Sequence, residues 1–188
     1  KKEPSVYRIH DVPDNEKLKN LKNIVKEFGY NLDITSREGT TKTLNKLLKE
    51  VKGKQEQNLI ETLAIRSMSK AEYSTQNIGH YGLAFKHYTH FTSPIRRYPD
   101  VLVHRLLNEC LSQKQKNKKG LPRMCKHCSE QENIATKAER DSVKYMQIKY
   151  MEDKKDKKFK GIISGITDWG LYVEIEENKC EGMVYIKD

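Results

Sequence analysis

One run changes the texture of the chain and so limits what the whole can be. From Asn77 to Tyr98 the sequence reads NIGHYGLAFKHYTHFTSPIRRY, crowded with Gly, His and aromatic residues. These residue types suit a short strand pair leading into a tight turn better than an amphipathic helix. The flanking sequence is different. Val6-Tyr7-Arg8-Ile9 reads as a short strand ending at His10-Asp11, after which Asp14 can cap a helix with apolar positions Leu18, Leu21, Ile24, Val25 and Phe28 before Gly29. Leu44, Leu47, Leu48 and Val51 repeat the helical spacing up to Gly53, and Leu59, Ile60, Leu63, Ala64 and Met68 predict another helix.

Beyond the run, Val101, Leu102, Val103, Leu106, Leu107, Cys110 and Leu111 mark a largely buried helix. Lys114 to Gly120 follows as an exposed basic loop, and a long helix is predicted from about Met124 to Met151. The Lys-rich stretch Asp153 to Lys158 then separates these helices from three segments of strand character, 160–166, 169–175 and 181–186. Glycines would let such strands coil sharply. The fold class expected is α+β, mostly helical with short strands, followed by an antiparallel sheet. A length of 188 residues accommodates one domain plus the start of a second, with the boundary near residue 156.

Charge bears on partners. Lys and Arg number 36 against 26 Asp and Glu, an excess that favours a polyanion, although a solvated Lys-rich surface gives the same count. No stretch approaches the roughly 18 consecutive apolar residues of a membrane span, and KKEPSVYRIHD lacks the apolar core of a secretory signal. A soluble cytoplasmic protein without a membrane partner or dedicated protein partner is expected. Cys110, Cys125, Cys128 and Cys180 do not make a disulfide framework, so reduced thiols are expected. Cys125-Lys126-His127-Cys128 invites a zinc reading, but no second ligand pair matches it, and helix packing is the better account.

Ser93-Pro94 reads as a helix start, with Ser as cap and Pro at the first position. Helix N-termini attract anions, whereas Arg96 and Arg97 in a first turn oppose the helix dipole unless an anion neutralises them. That conflict points to phosphate. The alternative is that one Arg pairs with Asp100 and ties the surface together, and sequence physics leaves both open. No two Asp are adjacent or alternate, and Asp153 and Asp156 lie in the Lys-rich linker, so no metal site is visible.

The run from Tyr88 to Asp100 (YTHFTSPIRRYPD), continuing to His104-Arg105-Leu106-Leu107, resembles the signature of the RNB exoribonucleases. Tyr7 to Asp11, Asn77 to Ala84 and Ala138-Glu139-Arg140-Asp141 resemble other stretches of that family in the same order. The resemblance implies a hydrolytic 3′→5′ exoribonuclease that acts on single-stranded or structured RNA and releases nucleoside 5′-monophosphates. It makes residues 1–155 the C-terminal portion of the catalytic domain, in which Arg96 matches the phosphate-stabilising Arg and Glu139 a Glu near the 3′-terminal nucleotide. Ser93 and Arg97 would contact RNA beside Arg96. The family's Mg²⁺ is held by aspartates upstream of the stretch near Val6, as is an aromatic clamp for terminal bases, so this chain is expected to lack both and to be inactive alone.

Residues 156–188 resemble the first strands of an OB-fold RNA-binding domain, left incomplete because a whole barrel needs about five strands. Trp169, Tyr172 and Tyr185 match base-stacking positions there, and Lys160 and Lys187 could hold phosphates. The partner implied is a single-stranded RNA 3′ end. Two other readings stand beside this one: a non-catalytic RNA-binding module, and a zinc-stabilised interaction domain.

Overall fold

A computed structural model of the chain describes residues 5–112 and 120–186. The chain falls into two compact units, 1–131 and 132–188. The basic loop expected at Lys114 to Gly120 lies, apart from Gly120, outside the described residues.

Unit 1 begins with β1 (Tyr7–His10) and continues through three helices, α1 (Asn15–Glu27), α2 (Arg37–Glu50) and α3 (Gln57–Ser67). Asp14 caps α1 as expected, its Oδ1 accepting from the backbone N–H of Glu16 and Lys17 at 3.0 Å each. At the other end Gly29 takes φ +80°, its N–H donating to the Lys26 carbonyl while the Tyr30 N–H reaches Val25. This is the Schellman closure, which needs a left-handed residue and so selects glycine. Leu18, Leu21, Val25, Leu32, Leu44, Leu47, Val51, Ile60 and Ala64 form the shared core of the three helices.

The helix expected from Leu44 begins seven residues earlier, at Arg37, behind a Ser36 cap whose Oγ accepts from the Gly39 N–H at 3.0 Å. Its first turns carry no apolar stripe. Thr40, Thr41 and Thr43 instead return their hydroxyls to the carbonyls of Ser36, Arg37 and Gly39.

β1 pairs antiparallel with β2 (Ala71–Ser74), with Arg8 opposite Tyr73 and His10 opposite Ala71. The strand pair expected within 77–98 is therefore corrected: β1's partner lies just before that run. Inside it the only pairing among the described residues is a single bridge between His80 and Phe85, closing a 3₁₀ turn at Tyr81–Leu83. Gly79 at φ +82° and Ala84 at φ +57° bend the backbone away from extended geometry. The loop runs along β1's outer edge, Arg8 N–H donating to the Tyr88 carbonyl at 2.8 Å and His10 N–H to Gly79 at 3.1 Å.

A second core joins Val6 and Tyr73 to Leu102 and Val103 of α4 (Tyr98–Leu111) and to Leu121 and Cys125 of α5 (Leu121–Glu152). The long helix α5 runs through the boundary between the units. Unit 2 adds the antiparallel sheet β3 (Gly161–Thr167), β4 (Gly170–Ile175) and β5 (Glu181–Tyr185), in that order. The three predicted strands are all present. A bulge between Ile163 and Gly165 places Ser164 where its hydroxyl donates to Glu181 at 2.5 Å. At Gly170 a Cβ would collide with the Val184 carbonyl, so the close approach of β5 demands glycine there. Within unit 2, Gln147 donates to the Lys179 carbonyl at 3.1 Å, and Met151, Ile148, Ile175 and Cys180 line a cavity of about 350 Å³.

Candidate nucleic-acid interface

Arg96 sits on a turn rather than in a helix. The Ser93 carbonyl accepts from the N–H groups of Arg96 (3.3 Å) and Arg97 (3.1 Å), closing one turn. The chain then extends at Arg97 (φ −130°, ψ 109°) and α4 starts at Tyr98. The helix start expected at Ser93-Pro94 is thus displaced, and Ser93 does not cap it. Pro99 is the reason. In a helix running from Ser93 it would lack the N–H owed to Ile95 and its ring would clash with that carbonyl, whereas in α4's own first turn neither is required.

The two arginines differ in surroundings. Arg97 has only 20% of its side chain exposed and donates through Nη2 to Asp100 Oδ2 at 2.9 Å, so the pairing alternative holds for this residue. Arg96 is exposed, and no hydrogen bond or ion pair holds its guanidinium among the described residues. Asp100 is fully buried and its Oδ2 also accepts the Ser93 N–H at 2.8 Å. Burial pushes its carboxyl up, but the Ser93 N–H, the Arg97 guanidinium and the charge of His90 outweigh this and hold it below the ordinary carboxylate value. On the other flank, His104 Nε2–H donates to the Phe91 carbonyl at 2.8 Å, and the two rings stack at 4.1 Å.

The loop before this turn is built on rings. His10 stacks on His80 at 5.0 Å, His80 meets Tyr88 edge-on at 5.2 Å, Tyr88 meets His90 at 5.7 Å, and His90 meets Tyr73 at 5.6 Å. Two imidazoles act as acceptors: Gly82 N–H donates to His10 Nδ1 at 3.0 Å and Leu83 N–H to His80 Nδ1 at 3.2 Å. His10 Nε2–H donates to the Ser69 carbonyl at 2.7 Å. Burial first, then electrostatic interaction with His10 and Arg8, pushes His80 below its ordinary 6.5. Sequence reasoning missed this framework. The signal was the spacing of His80, His87 and His90 among tyrosines, which has no meaning until β1 brings His10 to it. A neighbouring cleft of about 750 Å³ is lined by Arg37, Lys42 and Lys86 together with Glu38.

In unit 2, Trp169 occupies the β3–β4 turn and is 75% exposed. Gly170 lies opposite Tyr185 and Tyr172 opposite Met183. Since side chains alternate faces along a strand, Tyr172 and Tyr185 share one face of the sheet. Tyr185 is 69% exposed and Tyr172 half-buried. Lys160 is exposed just before β3, and Lys187 lies outside the described residues. Glu139 is exposed on α5, with no ion pair to Lys137 or Arg140 among the described residues.

Cys125 is buried in the second core with Cys128 packed against it, and burial followed by the nearby Cys128 pushes its thiol up to about 11. The pair serves as helix packing.

Comparison with known proteins agrees with this architecture. Residues 1–113 match the RNB domain, and the chain belongs to the RNB family. It is 43% identical over 187 residues to ribonuclease R of Aquifex aeolicus, covering 97% of this chain and 26% of that protein. Ribonuclease R of Mycoplasma genitalium, solved in complex with ribose-methylated single-stranded RNA, superposes with a TM-score of 0.87 at 29% identity, over 97% of this chain and 30% of that one. Yeast Ssd1, described as a pseudonuclease, shares the fold with a TM-score of 0.77 at 24% identity, over 96% of this chain and 23% of its own. The chain spans about a quarter of the length of the curated relatives it matches.

A divalent metal, on which RNB ribonucleases generally depend, finds no fitting donor set among the described residues. Asp14 is committed to the α1 cap, Asp33 to Thr35 and Asp100 to Ser93 and Arg97. Among the described residues no three His, Cys, Asp or Glu gather in a metal-holding group. Nor is any described helix long and apolar enough to cross a membrane.

Proposed function

We propose that this chain is part of a hydrolytic, Mg²⁺-dependent 3′→5′ exoribonuclease of the cytoplasm that converts RNA to nucleoside 5′-monophosphates. It supplies the phosphate-stabilising arginine and RNA contacts, while the metal ligands lie outside these 188 residues, which are inactive alone. The observation that carries this reading is Arg96, an exposed guanidinium on a tightly closed turn whose neighbouring arginine is already neutralised. A planar fork of donors suits the charge that grows on the non-bridging phosphate oxygens in the transition state.

In this reading residues 1–155 are the C-terminal portion of the catalytic domain, and 156–188 the first strands of an OB-fold domain. Ser93 and Arg97 line the turn beside the phosphate, and Glu139 meets the 3′-terminal nucleotide. Trp169, Tyr172 and Tyr185 stack on bases, Lys160 and Lys187 hold phosphates, and the single-stranded 3′ end is fed inward. The match to ribonuclease R and the solved RNA complex of one relative support RNA as substrate.

The test is monophosphate release from a 3′-tailed RNA by the complete enzyme with Mg²⁺. Arg96→Ala should lower turnover about 10²- to 10³-fold, as expected for losing one transition-state donor, with a much smaller change in RNA affinity. Unchanged turnover would overturn the assignment. RNA binding without turnover in the unmutated complete protein would favour a non-catalytic RNA-binding module instead.

A further inference from the structure

We propose that Asp100 is a positioning residue for Arg96: its buried carboxylate staples the Ser93–Arg97 turn to α4 and thereby fixes the direction in which the arginine is presented. The proposal rests on the phosphate-stabilising role of Arg96 and adds to it the residue that sets its geometry.

Three observations carry it. First, Asp100 has 0% of its surface exposed, a rare state for a carboxylate, and it spans seven residues back to the Ser93 N–H at 2.8 Å while taking Arg97 Nη2 at 2.9 Å. An acid in the third helical position ordinarily reaches back to the cap residue's own N–H. Here the Arg97 N–H is taken by the Ser93 carbonyl, and Asp100 holds the loop beyond. The carboxylate therefore shapes the turn more than it caps the helix.

Second, the arrangement is a poor device for stability alone. Asp100 Oδ1 and Arg97 Nε are both buried with no hydrogen-bond partner among the described residues. An apolar pair of similar volume would pack there without that penalty. A costly polar clamp beside an unclamped arginine is what a geometric requirement predicts.

Third, the turn is tied on both flanks and free only at its apex. His104 holds the Phe91 carbonyl at 2.8 Å, Asp100 holds Ser93 and Arg97, and Arg96 between them carries no tether. Asp100 also cancels the Arg97 charge, so of the two arginines on this turn Arg96 is the one left without an ion pair among the described residues, for an incoming phosphate.

The experiment is a double-mutant cycle in the complete enzyme, reading kcat, RNA affinity and cooperative unfolding. Asp100→Ala removes the carboxylate oxygen that accepts from both Ser93 and Arg97. The paired replacement Asp100→Leu with Arg97→Met removes the staple while keeping the packing. Each should lower kcat about 10- to 100-fold, the scale of a small misplacement of a catalytic group, and the single Asp100 variant, which leaves Arg97 in place, should do so with affinity nearly unchanged. In an Arg96→Ala background neither should cost anything further, because the group it positions is gone. An additive loss in that background, or full turnover in a folded variant, overturns the proposal. Failure of both variants to fold would also overturn it, by making Asp100 a residue of stability only. If Arg96→Ala itself leaves turnover intact, the same cycle shows that it is the reading of Arg96 that fails.

Discussion

Positions 96 and 97 hold the same side chain in different circumstances, and the difference comes from residues the local sequence does not rank. Asp100 selects Arg97 because a turn closed by the Ser93 carbonyl puts that side chain inward and leaves Arg96 outward. The sequence made both arginines visible and named Asp100 as a partner, but could not say which arginine it takes. That choice depends on where α4 begins, which Pro99 sets. Trp169 is a residue-scale case of another kind. Three quarters of it is exposed in a turn, so its removal leaves little packing to lose. Trp169→Ala should weaken single-stranded RNA binding by about 1–3 kcal/mol, the usual worth of one base stack, with no fall in thermal stability. Unchanged affinity in a filter-binding or anisotropy titration would remove Trp169 from the interface.

Among the elements, those with complete local signals were the legible ones. α1 has a cap, an apolar stripe and a closing glycine, and its core positions Leu18, Leu21 and Val25 are all buried. The strands of unit 2 announce themselves by alternation and by the glycines at their turns. The first half of α2 was not legible because its threonines bond to their own backbone rather than to a core. β2 is four residues long and takes its identity from β1, some sixty positions earlier, so no local window contains it. The loop 77–90 owes its form to imidazole acceptors, and this gives a pH prediction. The folded state favours neutral His80, whose pKa is lowered, so its contribution is complete above the ordinary 6.5 and is lost as pH falls through the lower folded value. The melting temperature should therefore decline between about pH 7.5 and about pH 5, before most carboxylates titrate. His80→Phe keeps the ring but cannot accept the Leu83 N–H, so it should start lower and decline less over that range. A flat profile for the unmutated chain would contradict the account.

At the scale of the whole molecule, 188 residues with an excess of ten positive charges belong to the RNB family, and on the proposed reading they carry one part of an RNA-degrading site. The RNB match spans residues 1–113, while the sheet of unit 2 adds the exposed aromatic residues Trp169 and Tyr185, which the proposed function assigns to single-stranded RNA. Binding carried by cations should weaken steeply with salt, whereas the stacking part should not. The central claim is that these residues hold the arginine half of a hydrolytic site without its metal half. Its most direct test is to incubate the 188-residue chain with a 3′-tailed RNA and Mg²⁺, measuring nucleoside monophosphate release beside RNA binding at low and high salt. The account predicts salt-sensitive binding and no monophosphate. Release that disappears on Arg96→Ala would contradict it, by showing that the metal ligands lie within this chain after all.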